Sequence, residues 1–191
     1  MRLPFPSPIP FHTRHAGSDH AIEQLRKGRA GESGYGRRIA LLLTIPTFED
    51  PVARDVRRAA TGELYVVRTV WQRGLDLASE PTPNTHALLR TLGLAPELPR
   101  RRPSLVSKQV TVDVDALDAL LETLATTTVT CHVHQPEPPL DATIFELTLG
   151  DELTETRYRW TAGPPVGWAP LAAFASTLIR LVDEPAVAAR R

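Results

Sequence analysis

Apolar runs and alternating patterns divide the chain after Arg38 into segments of strand length. The segment "RIALLLTI" (38–45) is almost entirely apolar after Arg38 and predicts a buried strand. The segment "ELYVVRTVW" (63–71) is rich in β-branched and aromatic residues and predicts a second strand. The segment "SLVSKQVTVDV" (104–114) alternates and predicts a third, while "TIFELTLGDELTETRYRW" (143–160) has two strand patterns around a polar turn, which predicts a hairpin.

Three further segments carry the signals of helices. Asp50–Pro51 predicts a helix start, because the carboxylate can accept from free backbone N–H groups and proline fits the first helical position. Asp115 is expected to cap a leucine-rich helix. A third helix is expected after Pro170, ending at Pro185, with an inward face made of Leu171, Phe174, Ala175, Leu178 and Leu181–Val182.

This order of elements predicts an α+β fold. We expect a mostly antiparallel sheet of four to six strands with two or three helices packed on one face. Residues 37–185 are expected to form this single domain, with disordered tails at 1–36 and 186–191.

The first 36 residues differ in pattern from the rest of the chain. Prolines stand at positions 4, 6, 8 and 10, and a glycine-rich charged stretch follows. Residues 1–38 hold seven Lys/Arg and three Asp/Glu, a net charge of +4. We therefore expect a mobile basic tail whose deletion leaves the fold intact, although a short helix around Asp19–Lys27 is an alternative.

Composition limits the classes of function. The chain of 191 residues has 22 Lys+Arg and 22 Asp+Glu, so no global charge draws it to nucleic acid or to an acidic membrane. Arginine dominates the basic residues, which together with 18 prolines indicates a G+C-rich bacterial gene. The longest apolar run is far shorter than the roughly 20 residues that span a bilayer. We expect a cytoplasmic protein.

Cysteine and histidine offer the only candidate chemistry of note. His132 and His134 stand two residues apart on a predicted strand (128–134) and would share one face, where a third ligand could complete a metal site. An exposed polar strand face explains the same spacing. Cys131 is the only cysteine, and its neighbours on a strand would point away from it. The sequence lacks a nucleophile elbow, P-loop, dinucleotide or zinc-protease motif, so we predict no catalytic residue, metal or cofactor.

The segment "RYRWTAGPPVGWAPL" (157–171) joins the last strand to the last helix. Its alternation puts Tyr158 and Trp160 on one face and Arg157 and Arg159 on the other. Tyr158, Trp160 and Trp168 are expected to be structural anchors, because large aromatic side chains beside a helix start usually pack inward. The two arginines are expected to face solvent or a partner.

Arginines 100 to 102 make a second positive patch, between two prolines. Nucleic-acid binding favours aromatic residues interleaved with such charge, and none lies between Trp71 and Phe145. A solvated loop therefore explains Arg100, Arg101 and Arg102 most simply, and an acidic protein partner is the alternative.

The block from Val106 to Val182 resembles a recurring bacterial α+β pattern that largely lacks an assigned function. The shared features are a strand running into an acidic-capped leucine helix, then "DATIFELTLGD", then "RYRW…P…GWAPL". In element order the block is also similar to emfourin-type protease inhibitors. That resemblance implies a binding protein that presents sheet edges and loops to a protease, and it assigns no inhibitory residue here.

The sequence thus predicts a non-enzymatic module that binds a specific protein partner, in the manner of an immunity protein or an inhibitor. Arg157, Arg159 and Arg100–Arg102 are the predicted partner-binding residues. An enzyme or metal-dependent module around Cys131, His132 and His134 is one alternative, and a nucleic-acid accessory protein that uses the basic tail is another.

Overall fold

Six strands and four α-helices make up the part of the chain that the computed structural model describes, namely residues 16–28, 36–78, 91, 102–130, 141–150, 154–161 and 163–184. In chain order they are α1 (Ala16–Lys27), β1 (Arg37–Ile45), β2 (Val52–Arg58), β3 (Leu64–Trp71), α2 (Arg73–Ala78), β4 (Leu105–Val110), α3 (Val114–Ala125), β5 (Ile144–Leu149), β6 (Thr156–Thr161) and α4 (Ala169–Asp183).

The strands form one antiparallel sheet in the order β4-β3-β2-β1-β5-β6. Strands β1 to β4 are paired in chain order, and β5 and β6 form the predicted hairpin on the other side of β1. Gly150 opens the hairpin turn with a φ of 102°, a left-handed conformation that favours glycine. The α+β class and the antiparallel sheet agree with the prediction.

Helices α3 and α4 cover one face of the sheet, called here the helix face. Asp113 rather than Asp115 caps α3, since its Oδ1 accepts from the N–H of Ala116 at 3.1 Å. The helix-face core combines Ala40, Leu42, Val56, Leu64, Val66, Leu117, Leu147, Trp160, Trp168, Leu171, Phe174, Ala175, Leu178 and Val182. The inward residues predicted for the last helix belong to this core, except that Leu181 is only half-buried.

Helix α1 packs on the opposite face, called here the charged face. Ala21 and Leu25 are fully buried there against Leu41, Leu43, Ala53 and Trp71. The prediction of a disordered tail over 1–36 is therefore wrong for residues 16–28, and the helices do not all lie on one face. Residues 1–15 and 29–35 lie outside the described residues. The helix has Asp19 in its first turn and Arg26 and Lys27 in its last, as the helix dipole favours.

Strand β2 replaces the helix predicted after Asp50–Pro51. Val52–Arg58 pairs with both β1 and β3. Pro51 precedes the strand, so its missing N–H breaks no ladder bond, and its carbonyl accepts from the N–H of Trp71 at 3.0 Å. The charged side chains of this strand, Arg54, Asp55 and Arg57, are buried in ion pairs. Pairing on both sides outweighs the local helix signal.

The two tryptophans of the β6–α4 joint lie inside the helix-face core. Trp160 is 2% exposed and its ring stacks on Phe145, with centroids 5.7 Å apart. Trp168 is 7% exposed, meets Tyr158 edge-on at 5.5 Å, and donates from Nε1 to the carbonyl of Thr130 at 2.7 Å. The joint is thus built around buried aromatic rings.

The stretch Val166–Asp183 is long and apolar enough to cross a membrane by length and composition alone. Its Leu171, Phe174 and Leu178 are buried in the helix-face core. The core helix of a globular domain passes the same test, so the packing already accounts for the apolar composition.

Candidate functional site

A buried ion cluster lies at the centre of the charged face. Asp55 accepts from Arg38 through Nε at 3.0 Å and Nη2 at 3.1 Å, and from Nε of Arg57 at 2.9 Å. The three side chains are each less than a tenth exposed. A register shift between Arg38 and Ala40 places Arg38 on this face, because one extra residue of β1 opposes β2 there.

This cluster holds both ends of the segment that joins α1 to β1. Arg38 Nη2 donates to the carbonyl of Lys27 at 3.0 Å, and Arg57 Nη1 donates to the carbonyl of Gly36 at 3.1 Å. Gly28 ends α1 with a φ of 57°, and a Cβ there would lie 2.9 Å from Arg38 Nη2. The cluster therefore caps the carboxyl end of α1. Its charged groups are bound to one another and to the backbone, so their role is structural.

A second buried carboxylate, Glu146, lies nearer the edge of the charged face. Its side chain is 3% exposed and receives a two-pronged contact from Arg26 of α1, with Nε–Oε1 at 2.7 Å and Nη2–Oε2 at 2.9 Å. The hydrogen bonds to Glu146 raise the pKa of Arg26 above its ordinary value despite partial burial. Such paired geometry is the strong form of an ion pair.

Strand β6 brings Arg157 and Arg159 to the same face, at the margin of the sheet. Both residues are exposed. Arg157 Nη2 donates to Glu155 Oε1 at 2.8 Å, and its Nε stands 3.7 Å from Oε1 of Glu146. In the described part of the sheet β6 pairs only with β5, so its outer backbone edge faces away from the sheet. The predicted partner-binding arginines thus lie on an edge strand.

Arg102 does not share a surface with Arg157 and Arg159. Arg102 is exposed and precedes β4, the strand at the opposite margin of the sheet. Five strand spacings separate β4 from β6, which is about 24 Å. Arg100 and Arg101 lie outside the described residues. Arg157 and Arg159 therefore form a candidate site that is separate from Arg102.

The alternative site at Cys131, His132 and His134 lies outside the described residues. Within the ranges that the structure describes, no group of three His, Cys, Asp or Glu side chains could hold a metal ion.

Two adjoining clefts open at the end of the sheet where β1 begins. One, of about 630 Å³, lies beside the start of β1 and the end of β2. The other, of about 560 Å³, runs between α3 and the end of β5. They share Ile39 and Arg58, and Arg58 is half-exposed and 3.6 Å from Asp118. The described residues that line them are mainly apolar and include no pair of a nucleophile and a base.

The helix face also carries a partly buried charged cluster around Asp183, which the sequence did not indicate. Asp183, at the end of α4, binds Arg54, and its Oδ1 accepts from Arg68 Nε at 2.9 Å. Burial alone would raise the pKa of Asp183, but its hydrogen bonds and charge contacts with Arg54 and Arg68 outweigh that effect and lower the pKa. Arg54 is 4% exposed, and its Nε has no hydrogen-bond partner among the described residues.

Arg26, Asp55 and Glu146 were not predicted from the sequence, although one signal was available for Glu146. Glu146 is the only charged residue of the apolar strand Ile144–Leu149. A lone carboxylate in such a strand indicates a buried ion pair, since acidic side chains are rarely buried without a partner. Nothing in the spacing pointed to Arg26, which stands 120 positions away.

Comparisons of this chain with protein-family models, with curated proteins and with solved structures find no match.

Proposed function

We propose that the protein is a non-enzymatic module that binds another protein, in the manner of an immunity protein or an inhibitor, through the β6 edge of its sheet. One observation carries this proposal: β6 ends the described sheet and bears two exposed arginines, while Trp160, next to Arg159, is buried on the other face of the strand. An edge strand offers backbone N–H and C=O groups to a partner strand. The buried side of the strand holds that edge rigid.

The arginine spacing favours an acidic partner in an extended conformation. Arg157 and Arg159 leave β6 on one face, about 7 Å apart along the strand. Acidic side chains at alternate positions of an added strand would have the same period and the same face. Backbone pairing would supply affinity and the charges would set the register.

The opposite margin of the sheet suits such a partner less well. On β4 the exposed cation is Lys108, which the register places opposite Arg68 on the helix face. Arg102 precedes the strand and is not part of it. We therefore use Arg102 and Lys108 as matched controls.

The test compares two charge-reversed proteins as baits for partners in cells that make the protein. Arg157→Glu/Arg159→Glu should lose a specific partner that wild type and Arg102→Glu/Lys108→Glu both retain. That partner, once purified, should bind wild type in calorimetry and bind the β6 variant at least about tenfold more weakly, as loss of close charge pairs gives. Equal affinity of all three proteins for every purified partner would refute the β6 proposal.

A further inference from the structure

Glu146 is shared between α1 and the β6 edge. Its Oε1 lies 2.7 Å from Arg26 Nε and 3.7 Å from Arg157 Nε. The first distance is a hydrogen bond, and the second is an ion pair without one. Two arginines from different parts of the chain therefore approach the same carboxylate oxygen, and one of them holds it.

Arg26 and Arg157 compete for Glu146 because this carboxylate is buried. Glu146 is 3% exposed, so its charge cannot be solvated by water and must be met by a cation. Arg26 does so with two parallel hydrogen bonds. With Glu146 satisfied in this way, Arg157 stays 41% exposed and hydrogen-bonds Glu155 on its own strand.

We propose that Arg26 is a positioning residue for the β6 edge: by holding Glu146 it keeps the Arg157 guanidinium at the surface, where an acidic partner can reach it. This inference rests on the proposed function of that edge. Without Arg26, the shift needed is small, because Arg157 Nε must move less than 1 Å closer to hydrogen-bond Glu146 Oε1. Helix α1 is then part of the binding module rather than a tail beside it.

The position of Arg157 is measurable without any partner. In the full chain labelled with ¹⁵N, the Arg157 Nε–Hε signal is identified by its loss in Arg157→Lys. Arg26→Ala should slow solvent exchange of that hydrogen by about tenfold or more, as a new charge-assisted hydrogen bond gives. Arg26→Ala/Glu146→Gln should restore fast exchange, because the carboxylate that attracts Arg157 is gone.

The double variant separates positioning from a general loss of packing. Both variants remove the Arg26 contact of α1, and only one keeps the Glu146 charge. Backbone spectra with native dispersion show that each variant is folded. An Arg157 signal that exchanges at the wild-type rate in folded Arg26→Ala overturns the proposal, and so does an Arg157 signal that is slowed equally in the double variant.

A second measurement connects the position of Arg157 to binding. The probe is a fluorescein-labelled octaglutamate peptide, titrated into each full-length protein at low salt. Arg26→Ala should weaken binding about fivefold or more, and the double variant should recover it. If exchange at Arg157 responds as expected while wild type itself fails to bind the peptide, the positioning role stands and the acidic-partner function fails.

Discussion

The two faces of the sheet bury side chains by different means. Among the described residues, the helix-face core gathers fourteen buried apolar residues, whereas the apolar cluster on the charged face has six. The charged face adds buried Arg38, Asp55, Arg57 and Glu146 in ion pairs. Apolar burial is non-directional, so it stabilises the helix face without fixing fine geometry. A buried charge is tolerated only with its partner in place, so the ion pairs of the charged face fix the position of α1 on the sheet.

The largest effect is expected in the helix-face core. Trp160→Ala should lower the free energy of unfolding by about 3–5 kcal/mol, because it removes a buried ring that stacks on Phe145 and leaves a cavity. Urea unfolding followed by circular dichroism measures the loss. Trp160→Phe, which keeps an aromatic ring, should cost much less. A Trp160→Ala protein with the same free energy of unfolding as wild type would show that the helix-face core does not dominate the stability of the fold.

Breaking the ion cluster on the charged face should have a comparable, slightly smaller effect. Asp55→Asn leaves Arg38 and Arg57 buried without a counter-charge, which should cost about 3 kcal/mol, the lower end for such a change because the amide keeps one acceptor oxygen. Asp118→Asn is the matched control, since the pair of Asp118 with Arg58 is half-exposed and should contribute within about 0.5 kcal/mol. Equal stabilities of the two variants would contradict a structural role for the buried cluster.

The apolar contacts of α1 with the sheet are expected to contribute less to the free energy of unfolding. Leu25→Ala should cost about 2 kcal/mol, near the lower limit for a buried leucine, because a single helix over a small cluster can settle into the space. Leu75→Ala, at a leucine that is 63% exposed, is the control and should change little. Deletion of residues 1–36, which the sequence predicted to be harmless, should on this ground cost at least as much as Leu25→Ala. An unchanged melting temperature on deletion would restore the prediction of a dispensable tail.

The sequence predicted the helix face far better than the charged face, for a physical reason. Apolar side chains repeat with the period of their element, so the strand 38–45 and the inward residues of α4 were visible as patterns. Ion pairs have no period. Asp55 and Arg38 stand 17 positions apart, and nothing in the local sequence joins them. The helix predicted from the start signal at Asp50–Pro51 was wrong, and the interior strand β2 was missed.

One part of the candidate site could be predicted from the sequence, and another part could not. Arg157 and Arg159 were predictable, because the alternation in "RYRW" assigns their face once β6 is a strand. The role of α1 was not, since a 12-residue helix with a mostly polar surface looks like a tail until the sheet supplies the face that Leu25 covers. Tertiary packing, rather than helix propensity, places it.

The smallest effect concerns the contacts of Asp183 with Arg54 and Arg68 on the helix face, which a change of pH separates from apolar burial. Asp183→Asn should cost about 1–2 kcal/mol at neutral pH, because it weakens charge-assisted hydrogen bonds to Arg54 and Arg68. The folded protein lowers the pKa of Asp183 below its ordinary 3.8. Its carboxylate therefore stabilises the fold fully above about pH 4, and that contribution is lost as pH falls through the lower, folded-state pKa.

Urea unfolding of wild type and Asp183→Asn at neutral pH and near pH 3 tests this sign. The difference between the two proteins should be largest at neutral pH and should shrink on acidification, because the carboxylate takes up its proton at a higher pH in the unfolded protein than in the folded one, which favours unfolding. Glu184→Gln, next along the chain, gives the control for a general acid effect. If the wild type and Asp183→Asn differ by the same amount at both pH values, the Asp183 charge does not stabilise the helix face. Asp183 would then contribute to stability only through packing, as an apolar side chain does.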